Sequence, residues 1–585
     1  MGFNVVGISA LYHDSACCIL KDGVIKAAVQ EERFTRKKND FTMPINSFMY
    51  CLKESKLTIN DIDCIAFYDI PEDKLSRQIW SGFDYERKDL KRSMEPYRAE
   101  REIRDLLGFT GHIEYIGHHL SHGASSYFFS GFDRAAIMTI DGVGEWDSTT
   151  YGYGYDHNID IFEKVEFPHS IGLFYSTITN YLGFKVNSGE YKVMGLAPYG
   201  KPIFVDKIRK LINIKAEGQY ELEMEYFDFI KGNRMYSEKL IELMGQLPRV
   251  PETEISQFHK DIARSLQFVL EEVLMQKINF LFKKTETKNL CLAGGVALNC
   301  VANSHILKNG PFKRLFVQPA SGDSGGAIGA AAVAHVRLTG KWRHLNELEH
   351  VYLGPEYSYF KIKRILSASS LNYDNYHNRK EELINITARL IAEGKVIGWY
   401  QGKMEFGPRA LGARSILADP RDAGMRDLIN SMVKKREGFR PFAPAVLEEK
   451  MKEHFDLDYP SPFMLRTCNV ISPIDLPAIT HVDGSARVQT VNERTNPLFY
   501  NLICEFQKLT GCPILLNTSF NVRGEPIVLS PFDALNCFVN TKIDYLVLGD
   551  FIIDRSKNSM TLLRFMLNNF IETVKTTTSN MYTFI

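Results

Sequence analysis

Residues 3–30 read FNVVGISALYHDSACCILKDGVIKAAVQ, and residues 135–167 read AAIMTIDGVGEWDSTTYGYGYDHNIDIFEKVEF. The first stretch opens as a buried strand, breaks at the polar turn Tyr12-His13-Asp14-Ser15, and resumes as ACCIL. It turns again at Lys21-Asp22-Gly23 and runs out as VIKAAVQ. Asp-Gly between apolar runs is a hairpin signal. The second stretch repeats that grammar: strand AAIMTI, tight turn Asp141-Gly142-Val143-Gly144, then strands TTYGYGY and IDIFEKVEF. A strand, a polar turn and a hairpin, given twice, suit a duplicated α/β fold that holds phosphate between its halves.

Two strand–loop–helix units follow, LCLAGGVALNCVANSHIL (290–307) and RLFVQPASGDSGGAIGAAAVAHV (314–336). The Gly- and Ala-rich helix of the second can pack closely or admit a ligand at its N-terminus. The pattern is irregular from about 340 to 380, where a linker is expected, and the helix EELINITARLIAEG then opens a second region. The predicted division is 1–348, a linker over 349–380, and 381–585.

The 585 residues carry 70 Lys+Arg against 70 Asp+Glu. That balance removes the simple electrostatic case for a nucleic-acid or membrane-surface protein. No apolar run approaches the ~18 residues of a spanning helix. The ten cysteines contain no C-x-x-C pair, which points to reduced thiols in a cytoplasmic enzyme. The charge is nevertheless uneven: residues 395–445 hold ten basic and five acidic side chains. Arginines set among Phe, Gly and Pro, as in Phe406-Gly407-Pro408-Arg409 and Phe439-Arg440-Pro441-Phe442, suit a small polyanion. A solvated basic face is the alternative.

HHLSHGASSYFFS reads as a helix with His118 and His122 at i, i+4, on one face and within reach of one metal ion. Satisfied core histidines are the alternative. Asp141 and Asp323 each stand at a Gly-rich turn after a strand, and a duplicated fold would open both turns into one cleft. Two imidazoles and two carboxylates suit Fe(II), Mn(II) or Zn(II). Gly142, Gly144, Gly294 and Gly295 free backbone N–H groups for phosphate oxygens, although none belongs to a Walker motif. Glu190 and Lys192, in NSGEYKVMGLAPYGKP, line the same cleft or cap a helix. His13 with Asp14 is placed as a general base for a hydroxyl. Lys38, after EERFTRKK, balances phosphate charge or belongs to a solvated loop. In the second region Asn517 and Ser519 offer hydrogen bonds to an anion, with Arg409, Lys434, Arg440 and Arg487 supplying charge.

The chain resembles the O-carbamoyltransferases of the nodulation, cephamycin and aminoglycoside type. The resemblance rests on YHDSA, EERFTRKK, HHLSH, DGVGEW, GEYKVMGLAPYG, LAGGVALN, DSGGAIGAA, FGPRALGARSIL, VKKREGFRPFAP and LNTSFN, in one order from residue 12 to 521. It implies an N-terminal actin-like domain of duplicated ribonuclease-H-like halves and a C-terminal YrdC-like α/β domain. It implies that carbamoyl phosphate and ATP, with Mg, give carbamoyladenylate in the C-terminal domain. The N-terminal domain then transfers the carbamoyl group to an alcohol beside a bound iron ion. Carried over by motif, His118, His122, Asp141 and Asp323 hold the metal, and His13 stands beside the acceptor hydroxyl. Lys38, Gly295 and Asn299 meet carbamoyladenylate, while Arg409, Lys434, Arg440, Arg487, Asn517 and Ser519 form the carbamoyl phosphate and ATP site. The implied partner is a small-molecule hydroxyl acceptor, with no nucleic acid and no membrane; a homodimer stays open. Leu11 stands where an aminoglycoside-modifying relative carries an acidic group, which argues against a polycationic acceptor. The competing readings are an actin-fold small-molecule kinase, a carbamoyl-transferring factor acting on tRNA or protein, and a non-catalytic nucleotide-binding regulator.

Overall fold

Strands β1 (Asn4–Ser9), β2 (Ala16–Lys21) and β3 (Val24–Gln30) form an antiparallel meander in the N-terminal half. β4 (Cys64–Phe67) and β5 (His112–Tyr115) extend it in parallel with β1, giving the order β3-β2-β1-β4-β5. The computed structural model describes residues 2–82, 95–230, 234–342, 347–434 and 437–568, without the side chains of Met432 and Lys434.

The second sheet is built the same way. β6 (Arg134–Ile140), β7 (Asp147–Tyr155) and β8 (Asn158–Glu166) are its meander. After a small pair, β9 (Ile212–Ile214) and β10 (Tyr220–Leu222), the parallel strands β11 (Asn289–Ala293) and β12 (Arg314–Val317) complete it. Its order, β12-β11-β6-β7-β8, repeats the first. The two hairpin units read from sequence are thus the meanders of two like sheets. Their inner strands are buried throughout, hence apolar runs such as NVVGIS and AAIMTI instead of alternation.

Two helices lie between the sheets. Asp323–Thr339 packs on β1, β2 and β4, His118–Tyr127 packs on β6, β7 and β11, and the helices pack on each other. Small residues allow this approach: a Cβ on Gly329 would stand 1.7 Å from the Ser121 carbonyl oxygen. The DSGGAIGAAA run therefore draws the N-terminus of one helix, with Asp323, against the HHLSH face of the other.

The C-terminal half adds β13 (Asp374–Asn375), β14 (Ile397–Tyr400), β15 (Arg414–Ala418), β16 (Ala443–Leu447), β17 (Thr467–Asn469), β18 (Ser485–Arg487), β19 (Gln489–Val491), β20 (Ile514–Ser519), β21 (Tyr545–Leu548) and β22 (Phe551–Asp554). Eight of them make one mixed sheet, β13-β22-β21-β14-β15-β20-β16-β19. The stretch 349–380 is structured: it carries the helix Tyr359–Ala368 and β13, and Ile362, Leu366, Leu371 and Tyr376 join the C-terminal apolar core. Conversely, Phe406, Leu411 and Ala443 belong to the core of the N-terminal half, so the halves share an apolar contact. Among the described residues no helix is long and apolar enough to cross a membrane.

Candidate functional site: a histidine–aspartate cluster and an arginine pocket

The cluster assembles beyond the carboxyl ends of two strands of the second repeat, against the helix that packs on them. Asp141 follows β6, Asp323 opens its helix after β12, and His118 and His122 present one helix face. All four are buried, and their ligand atoms lie within 4.8 Å of one another. His122 Nε2 stands 2.9 Å and His118 Nε2 3.4 Å from Asp141 Oδ2, each is 3.8 Å from Asp323 Oδ1, and the two nitrogens are 3.1 Å apart. A Cβ on Gly144 would come within 2.9 Å of the His118 side chain, so glycine is required there.

The arrangement fits a divalent cation. Metal–nitrogen bonds of about 2.1 Å put two imidazole nitrogens roughly 3.0–3.4 Å apart. The mixed N and O donor set suits Fe(II), Mn(II) or Zn(II). His118 also has the outer partner that orients a ligating imidazole, since its Nδ1 lies 3.2 Å from Asp69 Oδ1. Asp69 is tied in turn to Lys74.

The four side chains set one another's charge. Burial disfavours a charged His118, yet Asp141 and Asp69 together hold its pKa well above the ordinary value. Burial likewise works against the Asp141 carboxylate, and His118 and His122 hold it well below its usual range. Asp323 is pushed up by burial, against the pull of His13 and His118. His119, on the other side of the helix, is held neutral by burial and by the two neighbouring histidines.

His13 lies at the mouth of this cluster, Nδ1 3.6 Å from Asp14 Oδ2 and 3.7 Å from Asp323 Oδ2. Burial lowers its pKa, but Asp323 and Asp14 outweigh burial and raise it to about 9. Sequence reasoning missed Asp69 and Glu145. Glu145 Oε1 accepts the N–H of His118 at 2.9 Å and that of Ile70 at 2.8 Å, which fixes the helix start. Asp69 had one legible signal: like Asp141 it stands just past the carboxyl end of an inner strand, where open α/β sheets bind ligands.

The basic excess of residues 395–445 resolves into spent and unspent charges. Arg414 is fully buried and donates to the carbonyls of Gln401, Ala413, Pro355 and Gly402; Arg421 pairs with Asp419, and Lys403 with Glu54. Arg409 and Arg487 have no carboxylate partner among the described residues, and their Nε atoms are enclosed without a hydrogen bond. Arg440 lies 4.6 Å above the ring of Tyr191, from GEYKVMGLAPYG. Burial, with the like charges of Arg487 and Arg440, presses the Arg409 pKa down. Guanidiniums gathered in one pocket away from carboxylates suit an anionic ligand.

The remaining candidates are spread between the cluster, the pocket and the surface. Gly295 touches the cluster, since a Cβ there would stand 3.0 Å from Asp141 Oδ1. From the C-terminal half, a Cβ on Gly407, two residues before Arg409, would stand 3.3 Å from the Pro319 carbonyl oxygen, four residues before Asp323. The loop that carries Arg409 therefore lies against the loop that leads to Asp323, and within 294–300 the Gly294 N–H donates to the Ser321 carbonyl and Asn299 caps the helix Cys300–Asn309. The Gly142 N–H donates to Asp141 Oδ1 at 2.7 Å. Glu190 caps its own turn, accepting from Ser176 Oγ and from the N–H groups of Asn187 and Gly189. Lys192 pairs with Glu437 of the C-terminal half at 2.8 Å. Asn517 is buried on β20, donating to the carbonyl of Ala410 and to Gln489 Oε1, and so steadies the loop that carries Arg409. Ser519 Oγ donates to Asn521 Oδ1 at 2.7 Å. Lys38 is exposed, in a loop whose Asn39 reaches the Asn187 carbonyl. The Lys434 side chain lies outside the described residues.

These features define a duplicated α/β protein with a His₂Asp₂ cluster and a pocket of arginines at the junction of its halves. The family model for the carbamoyltransferase N-terminus matches residues 4–332, and that for the C-terminus matches residues 388–555. The chain belongs to the carbamoyltransferase family and is a transferase enzyme. It is 44% identical to an uncharacterized protein of Synechocystis, over 94% of this chain and 97% of that one. It is 39% identical to nodulation protein NolNO of Sinorhizobium fredii, over 93% of this chain and 79% of that one. Over 45% of this chain and 48% of the other, it is 36% identical to 3'-hydroxymethylcephem-O-carbamoyltransferase of Amycolatopsis lactamdurans.

Proposed function

We propose that this enzyme is an ATP-dependent O-carbamoyltransferase acting on a hydroxyl of a small molecule, with the C-terminal half as a YrdC-like activating domain and the N-terminal half as an actin-like transfer domain. The observation that carries the reading is the close approach of the arginine loop to the cluster: a Cβ on Gly407, two residues before Arg409, would stand 3.3 Å from the carbonyl oxygen of Pro319, four residues before Asp323. One reactive intermediate can then serve both sites over a short path.

In the first stage water cleaves carbamoyl phosphate to carbamate and phosphate. A carbamate oxygen then attacks the α-phosphorus of Mg-bound ATP, and pyrophosphate leaves. Arg409, Arg440 and Arg487, with Lys434 from the same segment, bind the anionic oxygens of both substrates and offset the charge brought together. In the second stage the acceptor oxygen attacks the carbamoyl carbon, the bond to the AMP oxygen breaks, and the hydroxyl proton passes to Nε2 or Nδ1 of His13. Asp323 is the carboxylate that most strongly holds His13 protonated, and were Asp323 engaged as a metal ligand the imidazole would be free to act as the base. His118, His122, Asp141 and Asp323 would hold Fe(II), or Mn(II) or Zn(II), which supplies Lewis-acid stabilisation of charge on the carbonyl or phosphate oxygen. All ten cysteines are free thiols, in keeping with a cytoplasmic enzyme.

The test is incubation with labelled carbamoyl phosphate, ATP and a metabolite extract, followed by mass spectrometry. Products heavier by one carbamoyl group, formed only with ATP and accompanied by AMP, support the reading. A phosphorylated product with ADP would assign a kinase instead.

A further inference from the structure

Arg77 lies on the helix Pro71–Trp80 with only 8% of its surface exposed. No hydrogen bond or ion pair reaches its guanidinium among the described residues, and its Nε is enclosed without a partner. The carboxylates whose charge it feels, Asp69 and Glu145, are already engaged. Asp69 is held by Lys74 and His118, and Glu145 by the N–H groups of Ile70 and His118.

The other neighbours are aromatic. The guanidinium carbon is 5.4 Å from the Phe167 ring, Trp80 meets Phe167 edge-on at 5.9 Å, and Trp80 meets Trp146 edge-on at 5.8 Å. Trp80 is 54% exposed and Tyr12 41%, so this aromatic set opens to solvent. The Tyr12 ring lies 4.7 Å from that of His13, tilted to it, and Lys74, on the same helix as Arg77, stands 4.9 Å over the Tyr12 ring. The unpaired cation and the aromatic surface thus adjoin the histidine that faces the acceptor in the proposed reaction. Enclosing a guanidinium with no bonded counter-anion is unfavourable unless a ligand brings one.

We propose that Arg77 is the anion-binding position of the acceptor pocket and that the acceptor is an anionic alcohol, its carboxylate or phosphate on Arg77 and its body against Trp80 and Trp146. This rests on the reading of His13 as the acceptor-side base. An oxyanion on a planar guanidinium forms two parallel hydrogen bonds, and an exposed indole offers a flat apolar face.

The probes are matched aromatic alcohols: 4-(hydroxymethyl)benzoate, 4-(hydroxymethyl)phenyl phosphate, 1,4-benzenedimethanol and 4-(hydroxymethyl)benzylamine. Binding to the full chain is measured by ligand-observed NMR. The expected result is that one of the two anionic probes binds at least about tenfold more tightly than the neutral one. The comparison of benzoate with phosphate tells the carboxylate from the phosphate acceptor. Arg77→Gln should abolish that preference and leave the affinity for 1,4-benzenedimethanol within about twofold, while Arg77→Lys keeps part of it. A purely structural Arg77 would weaken all four probes together. Equal binding of all probes, no measurable binding of either anion, or an unchanged preference in Arg77→Gln overturns the proposal. Pyrophosphate release from ATP with carbamoyl phosphate is measured in parallel on the wild type. Its absence would sink the proposed function while leaving an observed anion preference intact, so the two failures are separable.

Discussion

Arg33 Nη2 donates to the carbonyl of Gly407 at 2.7 Å, joining residues 374 positions apart in the chain. Gln30 Oε1 accepts from the same Arg33 Nη2 and, at 3.3 Å, from the Gly407 N–H, so both polar groups of Gly407 are gripped from the N-terminal half. Arg36 adds donations to the carbonyls of Pro526 and Ile527. Gly407 is two residues before Arg409, and β3, which ends at Gln30, grows from the hairpin that carries His13. The clamp therefore ties the arginine pocket to the transfer site. Arg33→Ala should destabilise the enzyme by about 3 kcal/mol, because Glu32 loses its buried partner. Thermal unfolding and the ratio of carbamoyl product to hydrolysed intermediate would read this. An unchanged unfolding temperature with an unchanged ratio contradicts it.

Metal binding should release protons. The carboxylates around His118 raise its pKa well above the ordinary value, whereas a ligating imidazole must be neutral. Metal affinity should therefore rise with pH, by about tenfold per unit for each proton displaced, until the raised pKa is passed. Titration calorimetry in buffers of different ionisation enthalpy counts those protons. His122→Ala and Asp141→Asn should each lower metal affinity by at least about tenfold.

Anions should stabilise the arginine pocket. Burial and the neighbouring arginines press on Arg409 in the free protein, and a bound phosphate removes that penalty. ATP or pyrophosphate should raise the unfolding temperature of the wild type more than that of Arg409→Ala or Arg440→Ala. The same variants should lose carbamoyladenylate formation by at least about tenfold and still transfer from supplied carbamoyladenylate.

His13→Ala should show the reverse pattern: the intermediate forms and hydrolyses, while the yield of carbamoylated acceptor falls by about 10²-fold or more. Equal loss of both half-reactions in His13→Ala and Arg409→Ala would remove the division of labour.

The duplicated sheets were legible because hairpin turns and apolar runs are local, and β1–β3 and β6–β8 fall where those signals stand. His118 and His122 were legible because their spacing is helical. The EERFTRKK run was not: neither of the two readings open for it, a phosphate-balancing loop or a solvated strand end and loop, shows that Glu31, Glu32 and Arg33 are buried, with Glu31 held by Ser47 and Arg33 by Gly407. Asp69, Glu145 and Arg77 were missed for the same reason, since each acts through a contact that no periodicity encodes. Arg414 and Arg421 counted toward a basic excess that their carbonyl and carboxylate partners largely consume.

The central claim is that ATP activates the carbamoyl group before transfer. Its most direct measurement is a rapid acid quench of the enzyme with ¹³C-carbamoyl phosphate and ATP, without acceptor, analysed by mass spectrometry. The account predicts carbamoyl-labelled AMP, with pyrophosphate and phosphate released in equal amounts. Release of ADP, or label reaching an acceptor with ATP left intact, would contradict it.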